Sequence, residues 1–256
     1  MDDSPTETRE AAICPRCGAP NDPRHRFCAS CGFKLGGAGE AATADAGENA
    51  PRLVALNPDG SEGVSVQLAT NTTVGRSTGG LFAQDLYLSP AHATIAPQAD
   101  HVMVTDADSL NGVYRRLLPD RKFALTPMQM FRIGQELIQF EYLEAATAKD
   151  DSVEYMGAPV DGYVGRIAMV LGRDTTGTAF PIPETGLNLG RERGEVLFSD
   201  DGYVSGLHCR LSFENGQVYL TDLGSSNGTF VRIRGTERFD NGDVLLMGQQ
   251  LFRIAF

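Results

Sequence analysis

The sequence predicts an all-β protein: two β-sandwiches in tandem, preceded by a small cysteine-bearing segment. Three observations carry this expectation. Short apolar runs such as Leu53-Val54-Ala55-Leu56 and Val64-Ser65-Val66-Gln67-Leu68 are broken by turn clusters such as Asn57-Pro58-Asp59-Gly60, the pattern of short strands joined by tight turns. No segment sustains a helical apolar period. The second half also repeats the first: Ser89, His92 and Asn111 recur 116 residues later as Ser205, His208 and Asn227, while Arg76 recurs 115 residues later as Arg191. A fixed offset of this kind marks tandem duplication.

Composition bounds the function. A chain of 256 residues accommodates two ordinary domains and a small one, and a hydrophobic fraction of 41% is enough for packed cores. The net charge of -11 disfavours a general binder of nucleic acid or anionic membranes, which needs a basic face. No charged leader precedes an apolar run, and no apolar stretch is long enough to span a bilayer. The expectation is a soluble, cytoplasmic protein with no membrane partner.

Residues 1–10 are polar and acidic and read as a disordered tail. Residues 11–35 hold Cys14-Pro15-Arg16-Cys17 and Cys28-Ala29-Ser30-Cys31, two Cys-x-x-Cys pairs at the spacing of a tetrahedral zinc site. Disulfide pairing is the alternative, and the lack of a secretory leader argues against it. The segment resembles the short zinc ribbons at the front of many bacterial proteins. A structural Zn²⁺ held by Cys14, Cys17, Cys28 and Cys31 would be needed to fold so short a piece. Arg16, Arg24 and Arg26 against Asp22 offset the charge of four thiolates around one Zn²⁺, so the loaded ribbon is formally neutral and has little pull on nucleic acid.

Residues 36–50, rich in Ala, Gly, Glu and Thr, read as a flexible linker. The first sandwich is expected over 51–144, an acidic linker over 145–162, and the second sandwich over 163–256. Thr147 in that linker, with Asp150 three residues on, is a candidate phosphorylation site and self-ligand. In the last strand Leu251, Arg253 and Ala255 alternate with Phe252, Ile254 and Phe256, which suits one buried face.

The candidate functional residues cluster at Gly190-Arg191, Ser205-Gly206-Leu207-His208 and Ser225-Ser226-Asn227-Gly228-Thr229. An arginine fork fits a phosphate bidentately and hydroxyls add short hydrogen bonds. Ser-Asn-Gly-Thr between apolar runs reads as a tight hairpin turn. The three pieces, in this order, resemble the signature of the forkhead-associated (FHA) domain, a β-sandwich that binds phosphothreonine peptides.

The resemblance implies that Arg191 and Ser205 hold the phosphate, Ser226 adds a hydroxyl and Asn227 binds the ligand backbone. His208 would brace the loop from inside, with Gly190, Gly228 and Thr229 structural. Gly206 belongs to the same peptide-binding loop but lacks the side chain that often supports phosphate contact in this family. Cys209 reads as a buried core thiol.

The first copy carries weaker counterparts in Arg76, Ser89 and Asn111, with His92 as its brace. Leu110 stands where the second copy has Ser226, Pro90 removes a backbone donor after Ser89, and Val113 replaces Thr229. Loss of one charge-assisted hydrogen bond costs about 1.5–3 kcal/mol, so the second copy is the expected reader and the first a degenerate one. The leading reading is a phosphothreonine-binding adaptor, not an enzyme, whose partners are phosphothreonine-containing proteins and Ser/Thr kinases or their substrates. The alternative is a phosphate-independent interaction scaffold with the ribbon as a protein or nucleic-acid contact. No Gly-rich phosphate loop, Ser-His-Asp arrangement or open metal site stands out.

Overall fold

The computed structural model describes residues 11–14, 17–22, 25, 28–30, 35, 50–68, 70–143 and 157–256. The 1–10 tail, Cys31, Thr147 and most of both linkers lie outside the described residues.

Among the described residues the chain is all-β, with no α-helix and two short 3-10 turns at Arg76–Thr78 and Gly80–Phe82. The strands are β1 (Ala12–Ile13) and β2 (Pro20–Asn21), then β3 (Arg52–Leu56), β4 (Glu62–Gln67), β5 (Thr72–Val74), β6 (Ala93–Pro97), β7 (His101–Asp106), β8 (Val113–Arg116), β9 (Lys122–Ala124), β10 (Met130–Ile133) and β11 (Glu136–Tyr142). The second repeat supplies β12 (Tyr163–Gly172), β13 (Thr175–Pro183), β14 (Leu187–Gly190), β15 (Val196–Leu197), β16 (Cys209–Glu214), β17 (Gln217–Asp222), β18 (Thr229–Arg232), β19 (Thr236–Asp240), β20 (Val244–Met247) and β21 (Gln250–Ala255).

Strand faces follow the alternation in β7 and β17, whereas the last strand, β21, is buried on both faces, with Arg253 at 2% exposure beside Phe252 and Ile254, not on the one face expected of it. In β7 Val102 and Val104 are buried, and in β17 Val218, Leu220 and Asp222 are. Asn215 and Gly216, both at positive φ, close the β16–β17 hairpin at Glu214 opposite Gln217, the left-handed pair that a two-residue hairpin turn requires.

The strands assemble into two compact units. Unit 1 comprises residues up to 116 together with 233–256, and unit 2 comprises 117–232. In unit 1 one sheet orders β8-β20-β21-β3-β4 and the other β19-β7-β6-β5. In unit 2 the equivalent sheets order β13-β12-β11-β10-β18 and β15-β14-β16-β17-β9. Each unit is a sandwich of the same strand plan.

The spans 51–144 and 163–256 expected from the repeat do not coincide with these units. β9, β10 and β11 of the first repeat pair with strands of the second, and β19, β20 and β21 of the second pair with strands of the first. Both cores depend on this exchange. Phe131, Ile133, Ile138 and Phe140 are fully buried in unit 2 beside Leu211 and Leu220. Leu245, Met247, Phe252 and Ile254 are fully buried in unit 1 beside Leu53 and Val104. Each such side chain contributes roughly 2 kcal/mol of apolar burial. The physical reason for the mismatch is that duplicated strands present equivalent apolar faces, so either copy completes either sandwich.

Candidate functional site

The loop Leu223–Gly228 of unit 2 is not the hairpin turn expected of it. It carries the chain from β17 in one sheet to β18 in the other, and Asp222 anchors it. This carboxylate, 1% exposed, accepts from the Gly224 and Ser225 N–H groups on Oδ1, at 3.0 and 2.9 Å, and from the Ser225 and Thr229 hydroxyls on Oδ2, both at 2.6 Å. Ser225 Oγ in turn accepts from Gly228 N–H at 3.0 Å. The loop is thus held by a buried, charge-assisted network that leaves Ser226 and Asn227 at its exposed edge.

The Ser205 loop meets that edge. Arg191 N–H donates to Ser205 O at 2.9 Å, and Arg193 N–H to Gly206 O at 2.8 Å. Ser226 N–H donates to Ser205 Oγ at 3.0 Å, so the serine's own proton remains available for a ligand. His208 lies fully buried behind the loop. Its Nδ1 accepts from Ser205 N–H at 3.0 Å and its Nε2 is 3.2 Å from Gly228 O. An acceptor at Nδ1 places the proton on Nε2, which then donates to that carbonyl. His208 therefore ties the Ser205 loop to the Ser226–Gly228 loop.

Asn227 Nδ2 donates to Tyr203 O at 2.8 Å, leaving its amide oxygen and one N–H for a peptide backbone. The Arg191 guanidinium is partly exposed and one Nη donates to Glu192 Oε1 at 2.7 Å. That hydrogen bond holds the Glu192 carboxyl below the usual carboxylate range. Glu192 also overhangs Gly206, where an added Cβ would lie 3.3 Å from Oε2.

The structure therefore brings Arg191, Ser205, Gly206, Ser226 and Asn227 to one loop edge, with His208, Gly190, Gly228 and Thr229 beneath it. Gly190 is crowded there, since an added Cβ would lie 2.5 Å from the carbonyl oxygens of Arg193 and Gly206.

Unit 1 reproduces the bonds around the serine, histidine and asparagine, although Val113 cannot supply the hydroxyl that Thr229 gives to Asp222. Arg76 N–H donates to Ser89 O at 3.0 Å, Ser89 N–H to His92 Nδ1 at 3.0 Å, and Leu110 N–H to Ser89 Oγ at 3.0 Å. His92 Nε2 lies 3.0 Å from Gly112 O, and Asn111 Nδ2 donates to Tyr87 O at 2.7 Å. The surface differs as well: Leu110 is 59% exposed where Ser226 presents a hydroxyl, with Leu86 and Tyr87 also exposed nearby in sequence to Ser89.

Glu192 and the pair Asp201 and Tyr203 lie at the candidate site but escaped the sequence reading, and Asp222 stands in the sequence at the head of the Asp222–Thr229 stretch without an assigned role. Asp222, Asp201 and Tyr203 recur 116 residues after Asp106, Asp85 and Tyr87, the same offset that exposed the serines. Cys209 is fully buried and its thiol is pushed well up by burial first and by the Asp222 carboxylate second.

In the N-terminal segment β1 and β2 pair antiparallel, and the sulfurs of Cys14, Cys17 and Cys28 all lie within 4.8 Å of one another. Cys17 and Cys28 are 3.5 Å apart at Sγ, far beyond a disulfide bond of about 2.05 Å and near the roughly 3.8 Å between sulfurs on a tetrahedral zinc with Zn–S of about 2.3 Å. Asn21, 6% exposed, supports Cys28, donating to its Sγ at 3.5 Å and accepting Ala29 N–H at 2.9 Å. These residues form a candidate metal-binding site whose donor set fits a thiophilic divalent ion.

Two segments of the chain match known families. The FHA domain model matches residues 187–248 and the zinc-ribbon domain model residues 13–35. The chain carries an FHA domain and an N-terminal zinc ribbon. The FHA domain-containing protein FhaB of Mycobacterium tuberculosis is 33% identical over 76 residues, covering 30% of this chain and 49% of that protein. The glycogen accumulation regulator GarA of Mycolicibacterium smegmatis is 32% identical over 82 residues, covering 31% of this chain and 51% of that protein. The chain spans about half the length of these curated relatives.

Proposed function

We propose that the protein is a phosphothreonine-peptide-binding adaptor in Ser/Thr kinase signalling, with the phosphate read by unit 2. The observation that carries this reading is the convergence of unspent donors on one loop edge: the Ser205 and Ser226 hydroxyls and the rest of the Arg191 fork. A phosphothreonine presents about -1.5 to -2 charges and three acceptor oxygens, which these groups match. Asn227 fixes the ligand backbone. The partners are phosphothreonine-containing proteins, kinases or kinase substrates, and no catalytic role is assigned to any residue. The ribbon holds a structural Zn²⁺ on Cys14, Cys17 and Cys28, with Cys31 as fourth ligand.

Unit 1 is given a phosphate-independent contact, because exposed Leu110 replaces the hydroxyl that Ser226 supplies. Titration of the intact protein and an Arg191→Ala variant with a phosphothreonine peptide library and its unphosphorylated twin tests the reading. Phosphate-dependent binding that disappears with Arg191 supports it. Phosphate-dependent binding that survives the change moves the site elsewhere, and absence of phosphate dependence sinks it.

A further inference from the structure

Asp201, 7% exposed, makes a clip. Its Oδ1 accepts from Tyr203 N–H at 2.8 Å, and its Oδ2 accepts from Gln135 N–H at 2.6 Å. Tyr203 then presents the carbonyl that receives Asn227. Gln135 is on the β10–β11 turn, which belongs by sequence to the first repeat. Gly134 in that turn has φ +53, and a Cβ there would fall 2.4 Å from Asp201 Oδ2 and 2.8 Å from Val204 Cγ2. Unit 1 holds the reciprocal clip. Asp85 accepts from Tyr87 N–H and from Gln249 N–H, both at 2.9 Å, and a Cβ on Gly248 would lie 2.4 Å from Asp85 Oδ2.

We infer that Gly134 and Gln135 are positioning residues for the peptide site of unit 2, so that the first repeat shapes the binding loop of the second. This rests on the phosphopeptide reading only for its affinity readout. The turn fits against Asp201–Val204, the segment immediately before Ser205. Through Asp201 and Tyr203 it fixes the carbonyl that orients Asn227. Displacing the Asp201 carboxylate by a methyl group at position 134 breaks the Gln135 hydrogen bond and frees that segment. A hydrogen bond to a charged acceptor is worth roughly 1.5–3 kcal/mol, about tenfold or more in a local equilibrium.

The test crosses the two repeats. Gly134→Ala is expected to weaken phosphothreonine-peptide binding about tenfold and to speed amide exchange in residues 201–208, while leaving 85–92 unchanged. Gly248→Ala is expected to speed exchange in 85–92 and leave 201–208 and the affinity unchanged. Asp201→Asn, which keeps the side chain's shape, should reproduce the Gly134→Ala exchange pattern should that variant fold poorly.

A protease site placed between Leu143 and Gly157 supplies a readout without peptide. After cleavage the two fragments should co-elute in gel filtration, because each sandwich contains strands of both. Separation of the fragments, or an exchange pattern in which Gly248→Ala disturbs 201–208, overturns the inference. If the wild-type chain binds no phosphopeptide, the functional reading fails while the exchange and cleavage results still decide this one.

Discussion

Thr229 offers a direct test of how the Ser226 loop is held. Its hydroxyl is fully buried and donates to Asp222 Oδ2 at 2.6 Å. Thr229→Val replaces that hydroxyl by a methyl group of nearly the same volume, and the first repeat carries valine at the corresponding position, Val113, also fully buried. The change removes one of the four hydrogen bonds on Asp222 while Ser225 still serves Oδ2. A hydrogen bond to a charged group is worth roughly 1.5–3 kcal/mol and the added methyl returns up to about 0.8 kcal/mol. The expected net loss is about 1–2 kcal/mol, or a fall in melting temperature of roughly 5–10 °C for a domain of this size. Thermal and urea unfolding followed by circular dichroism would measure it, with phosphopeptide affinity falling less than tenfold because the donors themselves remain. An unchanged or raised melting temperature would refute the claim that Asp222 is the loop's anchor.

Glu192→Gln should tighten phosphopeptide binding by about two- to fivefold, since a phosphate must displace an exposed carboxylate from Arg191. Because the Glu192 pKa is depressed, its competition is present above the ordinary carboxylate range and lost as pH falls through the lowered value. The gain should therefore be constant between pH 6 and 8, and weaker binding in calorimetry would count against it. Leu110→Ser, in an Arg191→Ala background, should raise the phosphopeptide affinity of unit 1 by about tenfold, the worth of one charge-assisted hydrogen bond; no gain would show that more than the hydroxyl is missing. In native alkylation with mass spectrometry, Cys14, Cys17 and Cys28 should become reactive on chelation, while Cys209 stays unlabelled until the protein unfolds. Labelling of Cys209 in the folded protein would contradict its burial.

The candidate donors stand out in the sequence because they are chemically distinctive and most recur at a fixed offset. Arg191, Ser205, Ser226 and Asn227 each differ from a core residue in kind, and the structure places them together. The route of the chain was not legible. Nothing in Phe131-Arg132-Ile133-Gly134 or Leu245-Leu246-Met247-Gly248 states which sandwich it completes, since both present the same alternating apolar face to the same kind of partner. The loop after Asp222 was misread for a related reason. Ser-Asn-Gly-Thr has hairpin composition, but the buried Asp222 carboxylate, not the turn residues, sets its path. Glu192 was missed because a glutamate beside an arginine on a loop carries no pattern at all.

The two units separate the frame of the site from its chemistry. His92 and His208 make the same two bonds, Asp85 and Asp201 make the same clip, and Asn111 and Asn227 donate to the same tyrosine carbonyl. Yet only the second unit exposes a hydroxyl beside its asparagine. The frame bonds tie loops to the strands behind them and, through Gln135 and Gln249, tie one repeat to the other. Folding therefore needs them whether or not a ligand binds, because an unpaired buried carboxylate or imidazole is costly. The recurring histidine and asparagine of unit 1, His92 and Asn111, are thus accounted for by the fold and do not by themselves argue for phosphate recognition. On the proposed reading, recognition rests on the groups the frame leaves unsatisfied, and by that criterion Ser226 and Leu110 are the positions at which the two units part.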